Sequence, residues 1–168
     1  IRYLIVTGVQ TCALPIYSTT VTPIPEPQGP QLVLSEKKNG GSVSALPGAA
    51  PGVNEIKGAD ALADNGFNVV HQPTNSSQNQ PGRKADYYVE GIGQVDEYSP
   101  DPSTELPNMA RAIEKKNKQG NGVMVQKDLT DYEIEILSNM VWKKPNAKNI
   151  DTLIFNSNGK LKVLKRPK

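Results

Sequence analysis

The sequence contains few of the side chains on which thiol and histidine chemistry depends. Its 168 residues include one cysteine and one histidine, and aromatic residues make up 5%. One cysteine cannot form an intramolecular disulfide or a cysteine-based zinc site. No apolar run approaches the ~18 residues that a membrane-spanning helix needs. The single histidine, His71, is expected to be a strand-end residue rather than a catalytic base.

The first sixteen residues form a segment of their own. Val6–Ile16 resembles the translated read-through of a common sequencing adapter, which implies that the true upstream coding region is missing. We therefore expect residues 1–16 to be an artefact and exclude them from fold reasoning. The lone Cys12 lies in this segment, so a thiolate nucleophile is excluded as well.

Residues 17–52 have the composition of a linker. Six prolines and five glycines occur in this stretch, and no helical or strand period is sustained. A short strand at Gln31–Leu34 is the one exception that the pattern suggests. The sequence thus predicts an ordered domain over residues 53–168.

That domain is predicted to have an α/β fold with a mixed β-sheet flanked by helices. A first helix is expected to follow an N-cap at Asn54 and to end at Gly66, and residues 71–83 are expected to form a polar loop. The helices predicted further along the chain are Leu106–Gln119 and Tyr132–Val141, the latter capped by Asp131. The strands predicted outside the hairpin are Phe67–Val70, Val123–Gln126, Thr152–Phe155 and Leu161–Leu164.

The central feature is a β-hairpin that turns at Gly91–Gly93. Because side chains alternate along a strand, Asp86 shares a face with Tyr88, and Asp96 shares a face with Tyr98. If the register aligns these faces, the two aspartates converge and form a site for a divalent cation. The alternative is that both are surface acids. Glu97 points to the face opposite Asp96 and is the weaker candidate.

Two further residues extend this candidate site. Lys116 follows Ile113 by three residues and Ala112 by four, which places it on the apolar face of its helix, toward the sheet. There it is expected either to neutralise the carboxylates and stabilise a transition state, or only to extend its stem past the core. Glu55 lies in the first turn of the first helix, where it either interacts with the helix dipole or turns inward as a third carboxylate.

A family resemblance is carried by Asn54–Val69, Ala85–Gly91 and Val95–Pro100. These segments resemble the tRNase toxin domain at the C-terminus of CdiA, an effector of contact-dependent growth inhibition, and related polymorphic toxins. The resemblance implies a fold related to the PD-(D/E)xK nucleases and cleavage of tRNA in the cytoplasm of a target cell. It also implies secretion at the tip of a larger effector and neutralisation by a cognate immunity protein.

The resemblance also implies roles for particular residues. Asp86, Asp96 and Glu55 would hold Mg²⁺, and a helical lysine would complete the catalytic set. Tyr98 stands where the simple motif has its lysine, and Ala85 stands where it has a proline. Lys116 would supply the missing lysine, with Lys115 as the alternative if the helical register slips by one residue.

The function expected from these features is that of a metal-assisted tRNA nuclease toxin. A DNA endonuclease of the same fold and a non-catalytic nucleic-acid-binding module are the alternatives. From Lys143 onward the chain has eight Lys or Arg and one acid, Asp151. This basic C-terminal region is expected to follow the phosphate backbone of the substrate.

Overall fold

A computed structural model describes residues 31–73 and 85–168 of the chain. These residues form one eight-stranded mixed sheet in which the spatial order of the strands is their order in the sequence. The strands are β1 Leu32–Glu36, β2 Ser42–Ala45, β3 Asn68–His71, β4 Tyr87–Val89, β5 Gly93–Tyr98, β6 Gly122–Gln126, β7 Thr152–Ser157 and β8 Lys160–Lys165. The helices are α1 Val53–Asp64, α2 Leu106–Lys115 and α3 Asp131–Trp142, with short 3₁₀ turns at Lys116–Lys118 and Pro145–Ala147.

Each α-helix connects two neighbouring parallel strands. The parallel pairs are β2 with β3, β5 with β6, and β6 with β7, and the helices α1, α2 and α3 lie between them in the chain. The other four pairings are antiparallel. This alternation confirms the predicted α/β fold with a mixed sheet and flanking helices.

The helices cover both faces of the sheet, and a separate apolar core lies under each set. Because side chains alternate along β6, Val123 packs with α2 and α3 while Met124 packs with α1. Ile113 from α2 and Leu137 from α3 belong to the first core, and Leu62 from α1 belongs to the second. The central strands of the sheet are therefore buried on both sides, as expected where parallel strands are joined by helical crossovers.

The prediction that residues 17–52 form a linker is wrong over residues 32–45, where the short strand expected at Gln31–Leu34 is present as β1 and a second strand, β2, follows. Residues 32–45 supply β1 and β2, so the folded unit begins before residue 53. Val43 and Ser44 are buried, because β2 pairs in parallel with β3 across the crossover through α1. The adapter-like segment, residues 17–30 and most of the predicted loop at 74–83 lie outside the described residues.

Three predicted helix boundaries also need correction. Gly52, rather than Asn54, is the N-cap of α1. Thr130 caps α3, since its hydroxyl accepts a hydrogen bond from the N–H of Glu133 at 3.2 Å, and Asp131 is the first residue of that helix. The α-helical part of α2 ends at Lys115, and the chain tightens into a 3₁₀ turn before Gln119. None of the helices in the described residues is both long and apolar enough to cross a membrane.

Candidate functional site

The register of the hairpin brings Asp86 and Asp96 together. In the antiparallel pairing of β4 with β5, Tyr87 is opposite Val95, and the same register places Asp86 opposite Asp96. The side chain of Asp96 is only 3% exposed. Asp86 Oδ2 also accepts a hydrogen bond of 2.6 Å from the backbone N–H of Glu97. The convergence that strand alternation predicted is therefore present in the fold.

The two carboxyl groups share an environment that disfavours two negative charges. Burial raises the pKa of Asp86 to about 7, and a hydrogen bond to Asp96 and the charge of Asp96 act in the same direction. The N–H of Glu97 and the charge of Lys116 oppose this rise but do not cancel it. Near neutral pH the pair therefore favours an additional positive charge, either a proton or a cation.

Lys116 supplies one positive charge at this position. Its Nζ lies 2.5 Å from Asp96 Oδ2, and its side chain is 21% exposed. The same Nζ lies 5.9 Å from the centroid of the Tyr98 ring, within the usual range of a cation–π contact. Lys115 is exposed and has no such contact. The structure thus joins Lys116, and not Lys115, to the aspartate pair.

The segment that carries Lys116 is fixed to the hairpin by Gly120 and Asn121. A β-carbon at Gly120 would overlap the carbonyl oxygen of Gln94, so the chain passes too close to β5 for any larger residue. The side chain of Asn121 accepts from the N–H of Gln94 at 2.9 Å and donates to the carbonyl of Ile92 at 2.8 Å. These contacts hold the end of α2 against the strand that bears Asp96.

Glu55 has a structural contact of its own. Its Oε2 accepts a hydrogen bond of 3.1 Å from the N–H of Gly52, which closes the first turn of α1. Burial raises the pKa of Glu55, and the charges of Asp86 and Glu97 act in the same direction. Glu55 is therefore within electrostatic range of the aspartate pair. Across residues 31–73 and 85–168, however, no three Asp, Glu or His side chains are grouped closely enough to form a complete metal site.

Glu97 and Gln126 form a polar network that the sequence did not reveal. Glu97 Oε1 accepts from Gln126 Nε2 at 2.8 Å and from the hydroxyl of Ser99. The Gln126 amide also donates to the carbonyl of Asn54 at 2.7 Å. Glu97 faces away from Asp96, as strand alternation predicted, but its backbone N–H holds Asp86. The sequence feature that could have indicated this network is Gln126, a polar residue at the carboxyl end of β6. Ligands bind at this edge in open α/β sheets.

Part of the basic C-terminal region is engaged within the fold. Lys162 pairs with Asp131 at 2.8 Å, and Lys165 donates to the Thr152 hydroxyl at 2.8 Å. The guanidinium of Arg166 donates to the carbonyl of Trp142 at 2.9 Å and lies 4.7 Å from the centroid of its ring. These three cations stabilise β8 against the neighbouring elements.

Comparison of the chain with protein-family models, with curated proteins and with solved structures finds no match.

Proposed function

We propose that the protein is a metal-dependent endonuclease that cleaves RNA, with tRNA as the substrate. The observation that carries this proposal is the buried contact of Asp86, Asp96 and Lys116. When both carboxyl groups are ionised, they and the ammonium group leave a net charge of −1, which burial and the proximity of the two acids disfavour, so the pKa of Asp86 is raised. A cluster of this kind favours a divalent cation.

The residues present fit Mg²⁺. This ion is commonly held by one or two carboxylates, with water and substrate phosphate oxygens completing its coordination, so a third protein ligand is not required. Asp86 and Asp96 would hold it, and Glu55 would complete the site or position water. When bound, the ion would supply Lewis-acid stabilisation of a phosphodiester that is being hydrolysed.

The residues of the chain have distinct tasks in this proposal. Lys116 faces the position of a bound phosphate and stabilises the negative charge that grows in the transition state. Asp96 orients Lys116 through their ion pair, and the N–H of Glu97 fixes the orientation of Asp86. In this proposal the site is a variant of the PD-(D/E)xK type in which a lysine from the turn after α2 replaces the strand lysine, and Tyr98 occupies the strand position.

The biological setting that we propose rests on the resemblance to the CdiA toxin domain. In that setting the chain is the C-terminal tip of a secreted effector, acts in the cytoplasm of a target cell and is neutralised by a cognate immunity protein. The choice of tRNA over DNA has the same basis. The buried acidic and cationic groups suit the phosphodiester of RNA and that of DNA equally.

The test is a cleavage assay with the purified chain. Total tRNA and supercoiled plasmid are each incubated with the protein in Mg²⁺ and in EDTA, alongside the variants Asp86→Asn and Glu135→Gln. Glu135 is an exposed acid on α3 and serves as a matched control. In Mg²⁺ we expect the parent and Glu135→Gln to cleave tRNA and Asp86→Asn not to cleave it. In EDTA we expect no cleavage by any of the three proteins. Cleavage of plasmid but not tRNA would indicate the DNA endonuclease, and no cleavage of either would refute the nuclease proposal.

A further inference from the structure

We infer that the exposed face of α2 is the surface that binds the phosphate backbone of the substrate. The basic side chains on this surface are Arg111, Lys115 and Lys118, together with Lys148 from the segment after α3. The inference rests on the proposed nuclease function and adds the surface that would hold a polyanion beside Lys116. We call these four residues the α2 basic face.

The α2 basic face lies between two grooves. Arg111, Lys115 and Lys118 follow one another at intervals of four and three residues, so they lie on one side of the helix and its 3₁₀ extension. All three line both grooves, whose volumes are about 630 Å³ and 870 Å³. Lys148 lines the larger groove, and Lys116 of the candidate site lines the smaller one. The smaller groove therefore connects the basic face to Lys116 of the candidate site.

Two contacts hold the sides of the larger groove in a fixed relation. The N–H of Asn149 donates to Asn117 Oδ1 at 2.7 Å, which places Lys148 beside the 3₁₀ turn. Lys144 pairs with Glu114 at 3.1 Å and ties the end of α3 to α2. A polyanion would thus meet cations that are already positioned, which lowers the entropic cost of binding.

The four cations of the basic face are uncompensated in the part of the chain that the structure describes. Each is exposed, and within residues 31–73 and 85–168 none of their side chains forms an ion pair or a hydrogen bond. Among the described residues, Glu114 is the one acid that lines either groove, and its charge is matched by Lys144. Lys162, Lys165 and Arg166, by contrast, are used within the fold.

The dimensions of the face suit a nucleic acid strand. Arg111 and Lys118 are separated by seven residues, which is roughly 10 Å of helix axis. A duplex presents about three phosphates per strand over that length. A row of cations at this spacing can follow the backbone without reading base sequence, as expected for contacts that position a substrate.

The experiment measures binding separately from cleavage. Fluorescence anisotropy of labelled tRNA is recorded with the full chain in EDTA, over a range of salt concentrations. The double variant Lys115→Gln/Lys148→Gln removes two charges from the basic face. Lys38→Glu changes the net charge by the same two units at an exposed turn between β1 and β2. Circular dichroism verifies that each variant is folded.

We expect the double variant to bind tRNA roughly tenfold more weakly than the parent at low salt. The slope of log K against log salt concentration should fall by about 1.5, since each phosphate contact contributes about 0.7 to 0.9. Lys38→Glu should bind within about twofold of the parent. Equal weakening by both variants, no weakening by either, or no binding of tRNA or duplex DNA by the parent would overturn the inference.

Cleavage in Mg²⁺ distinguishes this inference from the proposed function. A parent chain that binds through the basic face but cleaves nothing would overturn the nuclease proposal and leave the surface intact. A parent chain that cleaves tRNA, together with a double variant that binds as tightly as the parent, would overturn the surface alone.

Discussion

The ammonium group of Lys116 lies 2.5 Å from Oδ2 of Asp96, which precedes it by twenty residues in the chain. This contact joins the 3₁₀ turn that follows α2 to the strand β5. Within the described residues, Lys116 carries the only charge that forms an ion pair with Asp96. Removing one partner leaves the other without compensation at a position that is mostly shielded from water.

A double-mutant cycle tests this pairing. Lys116→Gln should lower the free energy of unfolding by about 3 kcal/mol, because it leaves a buried carboxylate unpaired. Adding Asp96→Asn should restore part of that loss, since two neutral amide side chains can hydrogen-bond in the same space. Urea denaturation of the parent, both single variants and the double variant measures the coupling energy. Strict additivity of the two single effects would show that the contact contributes nothing.

The two neighbouring lysines should affect different kinetic constants. Lys116→Met should lower kcat for tRNA cleavage by about 10²- to 10³-fold, because a charge aimed at the transition state is lost. Lys115→Met should mainly raise KM, because Lys115 lies on the α2 basic face. Steady-state kinetics on both variants separates these effects. A Lys115→Met variant with the larger loss of kcat would assign the catalytic role to Lys115.

The stability of the metal-free protein should depend on the ionisation of Asp86. Its folded-state pKa of about 7 is above the ordinary value of 3.8. Between these values the folded state binds more protons than the unfolded state, so the free energy of unfolding falls as pH rises from about 4 to about 7. Asp96, Lys116, Glu55 and Glu97 surround the group and are charged or titratable themselves.

Urea denaturation in EDTA at pH 5 and pH 8 measures how the free energy of unfolding changes with pH. Asp86→Asn should flatten it, because the amide keeps an acceptor for the N–H of Glu97 without ionising. A parent protein that becomes more stable over this interval, or an unchanged slope in Asp86→Asn, would contradict the assignment.

The candidate site was more predictable from the sequence than strand β2 or the contact of Glu97 with Gln126. Asp86 and Asp96 follow from strand alternation and a short turn, and Lys116 follows from helical spacing; all three patterns are local. β2 has only four residues, and its burial depends on pairing with β3 across an intervening helix. The contact of Glu97 with Gln126 joins residues that are 29 apart and depends on the register of two parallel strands. No local pattern encodes either relationship.

Gly120 should be intolerant of substitution. Gly120→Ala places a methyl group against the carbonyl oxygen of Gln94, so the turn that carries Lys116 must move away from β5. We expect a loss of about 1–3 kcal/mol of stability. The value of kcat should fall as well, because Lys116 is displaced. An unchanged urea midpoint together with an unchanged kcat would show that the turn relaxes without disturbing the site.

The initial rate of tRNA cleavage by Asp96→Asn in Mg²⁺ tests directly whether the aspartate pair is the catalytic centre. The variant changes one carboxylate to an amide of the same shape, and circular dichroism verifies that it is folded. We expect a rate at least about a hundredfold below that of the parent, whose own cleavage requires Mg²⁺. A folded Asp96→Asn variant that cleaves tRNA as fast as the parent would contradict the catalytic role of the aspartate pair.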